Sequence, residues 1–278
     1  MTSVSRKRAL VFDSGVGGLS VLDAIVDAGL AVDLDYAADN AWLPYGEKPD
    51  AALLARVPAL IAALAGEWAP DAVVIACNTA STIALDAVRD AVSIPVVGVV
   101  PPIKPAAAAT RTGVIGLLAT PATVARPYVD DLIARFAADK IVVRFGSTAL
   151  VGAAERALAG AAVDKSAVAE AIAGLFDAPH GDGVDVVALA CTHFPLLAAE
   201  LSAAAPRDVM WLDSGAAIAA RLKTVAALEE GQARLRRAGF TGAVHETLWD
   251  AFAVRGFGAR ATIGPDFSVA AASMQGYA

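Results

Sequence analysis

The sequence predicts an α/β protein with two pseudo-symmetric domains, each built on a parallel central sheet flanked by helices. Short runs rich in Val, Ile and Leu alternate with helix-like segments, at residues 9–12, 32–37, 71–77, 94–100, 112–119, 141–145, 184–191 and 208–213. Apolar strands that alternate with helices are typical of parallel sheets covered on both faces. The stretch 73–79 also aligns with the stretch 187–193, which indicates an internal duplication.

Composition narrows the class of protein. With 57% hydrophobic residues in 278, the chain has ample material for a buried core. Its net charge of −7 disfavours a nucleic-acid partner. Charged residues interrupt every apolar stretch before the ~18 residues of a spanning helix, so no membrane partner is expected. The run 9–12 is also shorter than the ~7–15 apolar residues of a signal peptide, which predicts a cytoplasmic protein.

The first run ends in a glycine-rich turn, Asp13-Ser14-Gly15-Val16-Gly17-Gly18. This turn lacks the Lys-Ser/Thr of a phosphate loop and the full spacing of a dinucleotide fingerprint. Its glycines instead favour a tight turn that a small ligand can approach closely. Asp13 is either a turn residue or a carboxylate that adjusts the proton affinity of a neighbouring thiol.

A second turn follows the run 32–37. The segment Pro44-Tyr45-Gly46-Glu47-Lys48 combines turn-forming residues with an aromatic ring that has a polar tip. Such a segment either lines a pocket or closes a loop, and the residues alone leave both interpretations open.

The chain has two cysteines, Cys77 and Cys191, and each closes an apolar run that precedes a helix-like segment. The free N–H groups at a helix N-terminus favour an anion there. Two cysteines in a reducing compartment are predicted to be free thiols, and they are too few for a closed zinc site, although a mixed site that also uses His193 stays open. A lone buried cysteine is usually an apolar core residue. Matching positions in a duplicated motif favour instead a catalytic pair, with one thiol on each side of a substrate.

Polar residues flank both thiols. Asn78, Thr79 and Thr192 are helix caps, groups that contact a ligand carboxylate, or both. His193 is interpreted as an accessory acid or base, although a lone histidine is more often structural. The residues alone leave Glu155 as an ordinary exposed helix residue.

Proline and glycine punctuation divides the chain into two predicted domains. Pro101, Pro102 and Pro105 follow one run, and Asp213-Ser214-Gly215 follows a later one. The first domain would comprise residues 1–102 and 215–278, with a helix beginning near Ala216, and the second residues 103–214. Residues 230–278 show no clear periodicity and no functional motif. They either pack as strands or short helices on the first domain or lie partly loose at the terminus.

Functional sites in parallel sheets lie at the carboxyl ends of the strands. Five polar or thiol residues are predicted at such ends: Asp13, Asp39, Cys77, Thr120 and Cys191. An active site in the cleft between the domains is therefore predicted.

Taken together, these segments resemble the cofactor-independent aspartate/glutamate racemase superfamily, and within it the Gram-negative glutamate racemases. The matching segments are residues 11–19, 39–40 with 44–46, 76–81, 118–120 with 123–124 and 128, and 191–197. The resemblance spans residues 11 to about 222. It implies two α/β domains, no cofactor, no metal and a homodimer, with D-glutamate supplied to cell-wall peptidoglycan.

The resemblance also implies roles for individual residues. Cys77 would take the α-proton of D-glutamate and Cys191 that of L-glutamate, with Asp13 supporting Cys77 and with His193 and Glu155 supporting Cys191. The implied substrate contacts are Asp13, Ser14, Pro44, Tyr45, Gly46, Cys77, Asn78, Thr79, Thr120, Thr123, Cys191, Thr192 and His193. The sequence departs from many relatives at residues 146–151, which are small, and at Arg126, where some relatives have serine.

Two alternatives remain open at this stage. The first is a racemase that acts on aspartate or another small amino acid, because the thiols specify the reaction more firmly than the substrate side chain. The second is a non-catalytic dicarboxylate-binding protein that retains the fold.

Overall fold

The computed structural model describes residues 6–271, whose strands form two separate sheets. The chain divides into two compact units. The first unit contains the described residues up to Val99, Leu158–Gly160 and the described residues from Gly215 onward. The second unit contains Val100–Ala157 and Ala161–Ser214.

Helices and strands alternate along most of the chain. The first unit begins with β1 Lys7–Asp13, α1 Leu19–Asp27, β2 Val32–Ala38, α2 Asp50–Trp68, β3 Ala72–Ile75, α3 Asn78–Ala91 and β4 Val96–Gly98. The next elements are α4 Ile103–Ala109, β5 Val114–Ala119, α5 Pro121–Val124, α6 Pro127–Phe136, β6 Ile141–Gly146, α7 Ala149–Leu158, α8 Lys165–Phe176, β7 Val186–Leu189, α9 Ala198–Ala204 and β8 Met210–Leu212. The last are α10 Gly215–Val225, β9 Arg234–Phe240, α11 Glu246–Ala253, β10 Ala259–Ile263 and β11 Val269–Ala271.

Four strands of each sheet share one order. In the described residues the first sheet runs β11, β10, β9, β2, β1, β3, β4, and the second runs β6, β5, β7, β8. The order β2, β1, β3, β4 is therefore repeated as β6, β5, β7, β8, with parallel pairing throughout both sets. This repeat confirms the predicted α/β class and supports the internal duplication seen in the sequence.

All eight predicted strands are present, with bounds that differ from the predicted runs by up to a few residues. The helix predicted near Ala216 is α10, which begins at Gly215. Residues 100–102 group with the second unit rather than the first, unlike the predicted division. That the two units are separate domains stays a prediction. Residues 1–5 and 272–278, which the prediction assigned to the first domain, lie outside the described residues.

The C-terminal segment, defined here as residues 234–271, is regular where the sequence indicated irregularity. Strand β9 pairs in parallel with β2, β10 pairs in parallel with β9, and β11 pairs antiparallel with β10. These strands extend the first sheet by three. Sequence periodicity missed them because β9 carries arginines on partly exposed positions and has no continuous apolar run.

Helix α2 packs in the core of the first unit. Among the described residues it is the one helix long and apolar enough, by length and composition, to cross a membrane. Six of its side chains are buried: Leu53, Val57, Leu60, Ile61, Leu64 and Trp68. They join a core cluster with side chains of β1 and β3. A buried core helix passes the same test, and the packing of α2 is that of a core helix.

Two glycines of the first unit provide a test of this packing. A Cβ at Gly239 in β9 would lie 2.8 Å from the buried Trp68 ring, whereas a Cβ at Gly66 in α2 meets nothing within 4 Å. We expect Gly239→Ala to destabilise the protein by about 1–3 kcal/mol through overpacking. We expect Gly66→Ala to stabilise it by about 0.5–1 kcal/mol, because alanine is the better helix former. Calorimetric melting of both variants checks this, and equal shifts in the same direction would contradict the described packing.

Candidate active site

Cys77 lies between β3 and α3, at the N-terminus of the helix. Its backbone is extended, and its Sγ accepts a hydrogen bond from the Ala80 N–H at 3.5 Å. The thiol is 3.6 Å from the Ser14 hydroxyl oxygen and is buried. The sulfur thus occupies the helix position where unpaired N–H groups stabilise negative charge.

Ser14 belongs to the glycine-rich turn after β1, which the structure holds in a defined shape. The buried Asp13 carboxylate accepts hydrogen bonds from the Gly15 N–H at 3.2 Å and the Gly18 N–H at 3.0 Å. Tyr36 of β2 donates its hydroxyl to the Gly15 carbonyl at 2.8 Å. Parallel pairing of β1 with β3, with Phe12 opposite Ile75, brings this turn next to Cys77.

Asn78 and Thr79 form the first positions of α3 and are buried. The Oδ1 atom of Asn78 has no hydrogen-bond partner within residues 6–271. A buried amide oxygen without a partner is costly, so such a group marks a place where a ligand donor would be accepted.

Tyr45 opens a short 3₁₀ helix, Tyr45–Glu47, and is buried in the same cluster as Cys77. Its hydroxyl donates to Asp39 Oδ2 at 2.6 Å. Burial is the largest cause that raises the pKa of Tyr45 well above 10, followed by the negative charge of Asp39. The phenol is therefore a hydrogen-bond donor throughout the physiological pH range. Its neighbours Pro44 and Gly46 are partly exposed.

Cys191 lies two residues after β7, at a position equivalent to that of Cys77 after β3. The following segment differs from the prediction. Cys191 is succeeded by the 3₁₀ helix Phe194–Leu197, and the α-helix α9 begins only at Ala198. The prediction of an immediate helix N-terminus is therefore correct for Cys77 and wrong for Cys191.

The side chain of His193 lies beside the sulfur of Cys191, whereas the N-terminus of α3 lies beside that of Cys77. The Cys191 Sγ is 3.8 Å from His193 Nδ1, and His193 Nε2 is 2.8 Å from Glu155 Oε1. Burial, the largest influence, lowers the pKa of His193, but the hydrogen bonds to Cys191 and Glu155 outweigh it and raise the pKa well above 6.5. The three side chains form a line along which a proton can be held near the sulfur.

Three threonines are the remaining predicted site residues of the second unit. Thr120 caps α5 by accepting from the Thr123 N–H, and the two hydroxyl oxygens are 2.9 Å apart. Thr123 and Thr192 are buried. Strand β5 pairs with β7, so Thr120 and Cys191 follow neighbouring strand ends.

The structure thus brings the predicted residues into two groups, one in each unit. Asp13, Ser14, Tyr45 and Cys77 lie together in the first, and Glu155, Cys191 and His193 in the second. Sequence reasoning missed Arg56 and Thr241, which contact Asp39 and carry no local motif. Within residues 6–271 no group of three or more His, Cys, Asp or Glu side chains is placed to hold a metal ion. The site roles and the expectation of a cofactor-free reaction stay predictions.

The duplicated topology and the position of the thiols define a class of α/β proteins that carry a buried cysteine at the same strand end in each of two repeated units. Residues 20–222 match the family described as Asp/Glu/Hydantoin racemase. The chain belongs to this family.

Similar proteins agree with this assignment. The chain is 55% identical to a glutamate racemase of Sphingopyxis alaskensis over 81% of its own length and 82% of the relative's. It is 50% identical to a glutamate racemase of Pectobacterium carotovorum, over 78% and 75% of the two chains. The Escherichia coli glutamate racemase, solved with L-glutamate and the activator UDP-MurNAc-ala, superposes with a TM-score of 0.82 at 38% identity. That match covers 96% of this chain and all of the other. The resemblance inferred from sequence motifs is confirmed.

The contacts of His193 with Cys191 and Glu155 can be tested by NMR. Replacing Glu155 by Gln removes the negative charge beside His193 Nε2, so we expect the pKa of His193 to fall toward its ordinary value. A histidine with a raised folded-state pKa adds stability below its unfolded pKa, and that contribution is lost as pH rises through the folded pKa. Glu155→Gln should therefore flatten the decline in stability across that upper pH range.

The measurement is a titration of the His193 ring resonance, which His193→Gln identifies by its disappearance. Glu170→Gln, an exposed carboxylate of α8, is the matched control and should leave the titration unchanged. If the pKa of His193 were the same with and without the Glu155 charge, the effect of Glu155 on His193 would be refuted.

Proposed function

We propose that this protein is a glutamate racemase that interconverts L- and D-glutamate with Cys77 and Cys191 as two bases. The observation that carries the proposal is the thiol at the matching strand end of each repeated unit, after β3 and after β7. Relatives that share 46–55% identity over most of the chain are named glutamate racemases, which supports glutamate as the substrate.

The reaction moves one proton off the α-carbon and another onto its opposite face. In the direction from L to D, the Cys191 thiolate takes the α-proton and the Cys77 thiol donates its proton to the other face. In the reverse direction the two sulfurs exchange roles. Atoms and charge balance, because each turnover converts one thiolate to a thiol and one thiol to a thiolate.

The two sulfurs are prepared for these roles by different means. The N-terminus of α3 and the Ala80 N–H stabilise negative charge on Cys77. His193, held by Glu155, faces the sulfur of Cys191 and can exchange a proton with it. In this proposal both arrangements keep a thiolate available as base in an environment that excludes bulk water.

The substrate would be held by the polar residues around the thiols. The buried amide oxygen of Asn78 is suited to accept a hydrogen bond from the substrate ammonium group. The hydroxyl groups near the thiols are suited to donate hydrogen bonds to the substrate carboxylates, and the main chain of Pro44, Tyr45 and Gly46 is suited to shape the space around them. These hydroxyl groups belong to Ser14, Thr79, Thr120, Thr123 and Thr192. Donors aimed at the α-carboxylate stabilise the charge that develops when the α-proton leaves.

The proposal places the protein in the cytoplasm as a homodimer that supplies D-glutamate for peptidoglycan. It involves no nucleic acid and no membrane. Cytoplasmic D-glutamate is the form that a cell-wall precursor synthesis would consume.

The test is circular dichroism of the purified protein with L-glutamate and, separately, L-aspartate in deuterium oxide without added cofactor. We expect the optical signal of glutamate to decay, with deuterium at the α-carbon of the product. Cys77→Ala and Cys191→Ala should each reduce kcat by about 10²–10⁴-fold, the contribution of a positioned acid or base. Ser202→Ala, an exposed small side chain of α9, is the control and should retain full activity.

Other outcomes discriminate the alternatives. Decay with aspartate alone would assign the protein to aspartate. Tight binding of glutamate without exchange would indicate a dicarboxylate-binding protein. Full racemisation after loss of either cysteine would exclude the two-thiol mechanism.

A further inference from the structure

The buried carboxylate of Asp39 accepts four hydrogen bonds from three side chains of the first unit. Its Oδ2 accepts from the Tyr45 hydroxyl at 2.6 Å and from Arg56 Nε at 2.7 Å. Its Oδ1 accepts from Arg56 Nη2 at 2.8 Å and from the Thr241 hydroxyl at 2.7 Å. Asp39 is completely buried, so its charge depends on these donors for stabilisation.

Thr241 reaches Asp39 because β9 lies beside β2. The Thr241 N–H donates to the Ala38 carbonyl at 3.1 Å, one residue before Asp39. The Thr241 hydroxyl also accepts from the Ala41 N–H at 3.1 Å. One residue further, the Gly242 N–H donates to Asn40 Oδ1 at 2.8 Å. The start of the loop that follows β2, at residues 39–41, is thus bonded to the C-terminal segment.

The same segment also covers the guanidinium of Arg56. Phe267, in the turn between β10 and β11, lies with its ring 5.2 Å from the Arg56 Cζ, and Trp42 lies 4.5 Å from it. Rings over a guanidinium stabilise its charge and restrict its orientation. The hydrogen bond to Asp39 is the largest cause that raises the pKa of Arg56. Two hydrogen bonds and two flanking rings therefore fix the geometry of this ion pair.

We propose that the C-terminal segment positions the substrate-binding turn of the first unit: Thr241 and Phe267 hold the Asp39 and Arg56 pair, and Asp39 holds Tyr45. Thr241 is a positioning residue, because it acts on the substrate turn through Asp39. This inference rests on the proposed function, in which residues 44–46 contact glutamate. It assigns a role to a segment in which the sequence shows no motif.

The expected effect falls on substrate binding rather than on proton transfer. The turn carries proposed substrate contacts, whereas Ser14, the Ala80 N–H and His193 flank the two thiols. An interaction that contributes equally to the bound substrate and the transition state changes KM and leaves kcat nearly constant. A defect that simply lowered the amount of folded protein would instead lower the apparent kcat.

Thr241→Val tests the inference, because valine keeps the shape of threonine and removes its hydroxyl. We expect KM for glutamate to rise about tenfold, a typical effect of losing a hydrogen bond to a charged group, with kcat changed by less than about twofold. Thr241→Ser keeps the hydroxyl and should restore the KM of the unmodified protein. Thr262→Val, an exposed threonine of β10 in the same segment, is the matched control and should leave KM unchanged.

Hydrogen–deuterium exchange of the same four proteins provides a readout that does not require turnover. We expect amides of residues 40–48 to exchange about tenfold faster in Thr241→Val than in Thr241→Ser, with β5 unaffected. If the unmodified protein does not turn over glutamate, the proposed function fails, and the exchange at residues 40–48 still decides the positioning role. Unchanged exchange in Thr241→Val would overturn the inference, and so would an equal rise of KM in Thr241→Ser and Thr241→Val.

Discussion

The parallel pairing of two neighbouring strands in each sheet is the constraint on which both groups of site residues depend. Strand β1 pairs with β3 and β5 pairs with β7, so their carboxyl ends meet at one edge of each sheet. Each strand is buried and short, and the polar chemistry begins where the pairing stops. Because the order of the four core strands is repeated, each unit places one cysteine at the equivalent edge.

The repeated topology does not produce repeated chemistry. In the first unit the α-helix N-terminus and the turn after β1 surround the sulfur, while in the second unit a 3₁₀ helix follows and an imidazole faces the sulfur. The carboxylate of Glu155 contacts the histidine beside Cys191 in the second unit. The two buried thiols thus have different local surroundings on one repeated topology.

Buried charge also determines how the first unit is completed. An ion pair removed from water, such as that of Asp39 and Arg56, is costly unless each hydrogen-bonding position is used. Here the phenol of Tyr45 and the hydroxyl of Thr241 donate to Asp39, and two rings flank Arg56. The extension of the sheet by β9, β10 and β11 brings two of these groups into place. The C-terminal segment is therefore part of the structure around Asp39 and Tyr45, although it lies far from them in sequence.

The sequence by itself determined the α/β class, the eight core strands, the position of each thiol at a strand end and the family. These features depend on hydrophobic periodicity and on short motifs, which are local properties of the chain. Only the tertiary structure decided the contact of Glu155 with His193 and the contacts of Arg56 and Thr241 with Asp39. Thr241 lies 202 positions from Asp39 in the sequence. It also decided that β9 is a strand, because pairing with β2 overrides a pattern that shows no apolar run. Pairing between distant polar groups depends on the path of the chain, and no local pattern of residues records that path.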